Sequence, residues 1–200
     1  MFRRVARGLT PTGFVLAALC FFMAFAVVSC DAPGGYGRSA PGGQTVYTGI
    51  DLAVGGAPQV DPKHLRPPAE QQPDELDPQP LAIAAFMLLI VGAIVTVVRD
   101  TWVRRAASAV IAALAAILLA ANQGTVEALL SAKLQAQLAV QMPAGKTADD
   151  FVQTGNGFGL AALLTIAVFF GNLIGWWRAH RAISRPPPAA VEQPTAAEAP

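Results

Sequence analysis

Four apolar stretches, Gly13–Cys30, Leu81–Val98, Ala106–Ala121 and Phe158–Trp177, constrain this chain more than any other feature. A helix needs about 20 apolar residues to cross ~30 Å of hydrocarbon, and these run about 16–20. None of them contains an ionised side chain. A chain of 200 residues with 54% hydrophobic and 14% charged content cannot hide four such runs in one soluble core. The expectation is therefore an all-α membrane protein with four transmembrane helices.

Charge gives the orientation. The net charge is only +1, but Arg3, Arg4 and Arg7 precede the first stretch, Arg99, Arg104 and Arg105 link the second to the third, and Arg178, Arg181 and Arg185 follow the fourth. The connections 31–80 and 122–157 hold only Arg38, Lys63, Arg66, Lys133 and Lys146. Basic residues stay on the cytoplasmic side. The link 99–105, the tail 178–200 and an uncleaved N-terminus are thus expected in the cytoplasm of a bacterium, with both long connections outside its cytoplasmic (inner) membrane.

The first stretch has two readings. A basic start, an apolar centre and then Val27-Val28-Ser29-Cys30 have the layout of a secretory signal ending in a lipobox. Cleavage before Cys30, with a lipid on its sulfur, would leave three spans and an acyl anchor. The other reading is an ordinary first helix over residues 1–30 that happens to end in cysteine. Cys20 and Cys30 lie ten residues apart on one helix in that reading, too far for a disulfide.

The outer connections differ from each other. Residues 31–80 are dense in proline and carry seven acidic residues against three basic ones, a net charge of −4. Proline removes backbone donors, so most of this segment should be extended or disordered. The patch 45–54 is β-prone, and Gly55-Gly56 ends it. A lone strand is unstable in water and must pack on something. In the second connection Val126, Leu130, Leu134 and Leu138 recur every four residues, which predicts an amphipathic outer helix over 125–142. Asn122-Gln123-Gly124 is only a weak break between that helix and the third span. Thr48, Gly49, Asp51, Leu130 and Leu134 are the candidate interaction surface, facing either a partner protein or each other.

Chemistry is sparse. The spans contain Thr96, Ser108, Thr165 and Asn172 but no carboxylate or histidine of the kind that ion coupling needs. His64 and His180 are isolated, and no phosphate-binding loop, nucleophile elbow or zinc motif occurs. No catalytic, cofactor or metal residue is assigned, nucleic acid is not an expected partner, and the chain reads as a non-enzyme. Alanines dominate the third span, and Gly171 with Gly175 gives the fourth a GxxxG. Both allow close helix packing, within the chain or in a homo-oligomer.

Four features together resemble a group of uncharacterised bacterial four-span membrane proteins. They are the lipobox-like first segment, the stretch Thr48-Gly49-Ile50-Asp51-Leu52-Ala53-Val54-Gly55, the Arg-Arg link and the Phe158-Gly159 start of the last span. The resemblance supports the topology and implies no activity. The expected role is a non-enzymatic envelope or accessory subunit whose partners are the lipid bilayer and a protein met through the outer segments. The alternative is a subunit of an oligomeric small-solute or lipid transporter or channel.

Overall fold

The computed structural model describes residues 2–29, 35–98, 101–138 and 145–183. Five helices and a four-stranded sheet form two layers that share one core. Helices α1 (Phe2–Leu19), α3 (Pro80–Val95), α4 (Thr101–Leu138) and α5 (Asn156–Ile183) make the first layer. Each packs on two others in the cyclic order α1-α3-α4-α5, so they close into a bundle. The second layer caps one end. It holds strands β1 (Ala24–Ser29), β2 (Gln44–Thr48), β3 (Gln59–Val60) and β4 (Val152–Thr154), with the short helix α2 (Gly49–Val54).

Close approach in the bundle depends on small residues. A Cβ at Gly13 would strike Val168 of α5, and one at Gly92 would strike the Phe14 ring. Ala112 and Ala115 are fully buried, so the alanine face of α4 is spent inside the bundle. Gly171 faces open space, whereas Gly175 lies against Arg105. The outward faces remain apolar: Leu19, Met87, Ile94, Val110, Ile117, Leu163 and Phe170 are all exposed. Two helices, α4 and α5, are long and apolar enough to cross a membrane. The helices α1 and α3 are shorter apolar members of the same ring.

The first apolar stretch is not one helix. It turns at Cys20–Phe22 and continues as β1, one of the two inner strands of the sheet order β3-β2-β1-β4. All pairings are antiparallel. Val27 stands opposite Val46 of β2 and Gln153 of β4. A short apolar run has no periodicity to separate buried helix from buried strand, and the aromatic and β-branched content of Phe25–Val28 favours the strand. Between Ala24 and Ala26 the register slips by one residue. This bulge turns Phe25 down into the bundle, where its ring centroid lies 4.8 Å from that of Phe21 and 6.1 Å from that of Phe158.

Other boundaries move too. The patch 45–54 splits at Thr48, where strand gives way to helix. Residues 139–142 of the expected outer helix 125–142 lie outside the described residues. Its residues 125–138 and the third span 106–121 are one continuous helix, α4, of 38 residues. At 1.5 Å per residue it is about 57 Å long, nearly twice a hydrocarbon core. Gly124 costs it about 1 kcal/mol relative to alanine and does not break it. Thr125 does not cap a new helix there, because its hydroxyl donates back to the Ala121 carbonyl (2.9 Å). α5 runs on to Ile183, six residues past the expected end at Trp177; the rest of the tail lies outside the described residues.

Phe25 joins sheet and bundle, so Phe25→Ala should lower stability by about 3–5 kcal/mol, read as a fall in thermal midpoint in detergent. A shift no larger than that of an exposed control such as Val54→Ala would contradict this packing.

Candidate functional site: the cap at the end of the bundle

The cap begins with Thr48. Its hydroxyl accepts from the Asp51 N–H (3.1 Å), and the Asp51 carboxylate accepts from the Thr48 N–H (3.0 Å). This reciprocal capping box starts α2, and Gly55, with φ 77°, ends it in the left-handed region. Gly49 then sits against Phe21 and Phe25, with no room for a Cβ. Helix α2 therefore rests on the junction of bundle and sheet. The Gln79 N–H donates to the Leu52 carbonyl (2.8 Å), which delivers the chain into α3.

A proline-rich strap, residues 58–79, crosses the cap and is latched at Asp74. This residue is 1% exposed. Its carboxylate accepts from the Arg38 Nε at 3.0 Å and from the Arg38 backbone N–H at 3.3 Å. A second nitrogen of Arg38, Nη2, donates to the Pro58 carbonyl. One guanidinium thus binds both ends of the strap. Tyr47 donates its hydroxyl to the Asp74 carbonyl, and Tyr36 lies 3.1 Å from Tyr47, hydroxyl to hydroxyl. Both rings are fully buried. Burial first, and then the Tyr36 hydroxyl, push the Tyr47 phenol far above its ordinary value. It stays protonated and serves as a fixed donor. Gly37, φ 56°, completes the latch, since a Cβ there would meet Asp74.

The upper half of α4 grips the same strap. Lys133 donates to the Glu75 carbonyl and Gln137 to the Pro73 carbonyl, while the Gln137 side-chain oxygen accepts from the Gly37 N–H at 3.3 Å. On its other side Glu127 accepts from the Thr154 hydroxyl (2.7 Å) and the Gln123 amide (2.9 Å), tying α4 to β4.

The residues singled out from the sequence lie mostly inside. Leu130 is 0% and Leu134 1% exposed, and Thr48 and Gly49 are also buried. They hold the cap to the bundle and present no surface, because the four-residue apolar repeat faces the core of this same chain. Asp51 is half-buried and spends its carboxylate on Thr48. Cys30 lies outside the described residues. Sequence reading passed over Arg38, Asp74, Tyr36 and Tyr47. Their only signals were one arginine in an acidic, proline-rich segment and two tyrosines, and neither fixes a pairing. Thr48-x-x-Asp51 has the spacing of a capping box, a signal that the β-prone reading of 45–54 passed over. No family model matches this chain, and no curated protein or solved structure matches it.

Two predictions follow from these bonds. Arg38→Ala strands a buried carboxylate. Breaking a fully buried pair costs about 3–5 kcal/mol, and about 2–3 is expected here because Arg38 is 29% exposed. Limited proteolysis should then cut within 58–79 first; uniform cutting at the wild-type rate would contradict the latch. Near β4, the Asp150 carboxylate accepts from the Thr147 N–H (2.7 Å) and hydroxyl (3.2 Å), which hold its pKa below the ordinary 3.8. A lowered folded value stabilises the 147–151 turn above the unfolded value and is lost as pH falls through the folded one. An NMR titration should place the Asp150 midpoint below 3.8, and Thr147→Ala should raise it. A midpoint indifferent to that substitution would show the bonds to be absent.

Proposed function

We propose that this chain is a four-span protein of a bacterial cytoplasmic membrane and a non-enzymatic accessory subunit that displays a rigid cap at the outer surface. The observation that carries the reading is the division of the bundle into two unlike ends. One end bears the cap, which receives α1 and α4 and launches α3 and α5. The other bears Arg104, Arg105, Arg178 and Arg181 with Trp102, Trp176 and Trp177. An apolar outer face lies between them. An aromatic belt marks a membrane boundary and basic residues mark its cytoplasmic side, so in this reading the cap lies outside. We extend the same proposal to the likeness with uncharacterised four-span bacterial proteins.

Retention of residues 1–29 belongs to this reading. Cleavage before Cys30 would remove α1 and the strand between β2 and β4, together with the buried Phe14, Phe21 and Phe25. A partner would meet the strap, whose Asp61, Glu70, Glu75 and Asp77 are exposed among prolines, rather than the buried Leu130 and Leu134. A transporter or channel is the lesser reading, since the alanine face proposed for its oligomer packs inside the chain.

The intact mass of membrane-extracted protein should include residues 1–29 and no acyl chain. A mass starting at Cys30 with added lipid would overturn the retained strand. Single cysteines placed at Glu70 and Arg178 should react with an impermeant thiol reagent only from outside and only after lysis, respectively; the opposite pattern would overturn the orientation.

A further inference from the structure

We propose that the arginine end of the bundle binds the phosphate of an anionic phospholipid in the crevice between α4 and α5, with Arg105 as its anchor. The inference rests on the membrane reading above. Arg104 and Arg105 are both half-buried near the start of α4. Gly175 makes room for Arg105: a Cβ on that glycine would stand 3.3–3.4 Å from the guanidinium and its stem. Arg105 thus lies flat against α5 and donates through Nη1 to the Gly175 carbonyl (2.7 Å).

That bond satisfies one of five donors and neutralises no charge. Among the described residues the ion pairs are Arg38 with Asp74 and His64 with Asp61, both in the cap. A half-buried guanidinium without a counter-charge is costly. Arg178 stands one turn beyond Gly175 on α5, and Arg181 stacks its guanidinium 3.6 Å from the Trp177 ring centroid. Beside Gly175, the Trp176 indole N–H is buried with no acceptor. Among the described residues this end of the bundle therefore carries excess positive charge, a buried donor without an acceptor, and no carboxylate.

Its level in the bundle identifies the anion. Val97, Val98, Trp102, Ile174 and Trp177 are exposed around it, so it sits where the apolar belt ends and headgroups begin. A phosphate diester there accepts charge-assisted bonds from an arginine fork. Basic crevices between helices on the cytoplasmic side suit such headgroups.

The test reconstitutes the full chain in nanodiscs of equal parts phosphatidylglycerol and phosphatidylcholine and reads retained lipid by native mass spectrometry. The wild type should keep phosphatidylglycerol several-fold over phosphatidylcholine. Arg105→Gln should bring the ratio near one, Arg178→Gln should lower it, and Lys133→Gln in the cap should leave it unchanged. Arg178 is exposed, so its variant reports on binding even where Arg105→Gln fails to fold. No preference in the wild type, or wild-type ratios in both arginine variants, would overturn the site. Full displacement of the lipid by added inorganic phosphate would show a free-anion site and overturn the lipid assignment. Failure of the chain to enter nanodiscs would instead overturn the membrane reading.

Discussion

The structure depends on the pairing of β1 with strands on both sides. Five Cα pairs join it to β2 and three to β4, although β2 begins 15 residues after β1 ends and β4 123 residues after. Such non-local contacts close long loops, at an entropic cost that local helix formation does not incur. The compensation is that β1 is continuous with α1, so docking the strand also docks a helix. The Phe25 bulge makes the coupling direct: the backbone carbonyl of Phe25 accepts from Gly155 (2.8 Å) at the head of α5, and its ring enters the aromatic cluster below. Sheet, α1 and α5 are therefore mutually dependent.

Helix α4 provides the second coupling. A segment of about 20 residues suffices to cross a bilayer, and α4, at 38 residues, runs well beyond that length to reach the cap. Its apolar repeat, Val126, Leu130 and Leu134, is buried against the cap. Its polar side chains reach backbone carbonyls of a strap whose prolines have no N–H of their own to donate. This complementarity explains how so proline-rich a segment holds a fixed path. Its own short turns supply some hydrogen bonds, and others come from outside it, from the backbone of residues 37–40 and from the side chains of Arg38, Tyr47, Lys133 and Gln137.

The four apolar stretches and their basic flanks were plain in the sequence because hydrophobicity and charge act residue by residue. The bundle inherits these stretches, apart from the shortened first one. What sequence could not separate was helix from strand in Phe25–Val28, where both buried states demand the same residues. Nor could it join the third span to the outer helix, because Gly124 and Asn122 weaken a helix without ending one when packing holds both sides. The latch was least legible. Arg38 and Asp74 are 36 residues apart, and their pairing is set by the sheet and the strap path rather than by any local pattern. The two readings left open for Leu130 and Leu134 have the same origin, since an amphipathic stripe declares that it will be buried but not by what.

Polar chemistry in this molecule follows its two ends. In the cap, four carboxylates are consumed internally, Asp51 by Thr48, Asp74 by Arg38, Asp150 by Thr147, and Glu127 by Thr154, while Asp61, Glu70, Glu75 and Asp77 of the strap stay exposed. A surface built this way is stiff and offers little free reactivity, which suits recognition by shape and by the charge of an exposed strap. Within the bundle Thr165 and Asn172 turn back on helix carbonyls, Thr165 to Ala161 and Asn172 to Val168. At the arginine end Arg104, Arg105, Arg178 and Arg181 find no ion-pair partner among the described residues. In the membrane orientation proposed above, that imbalance would sit at headgroup level, and a counter-ion drawn from the lipid would make the bilayer itself a component of the folded state.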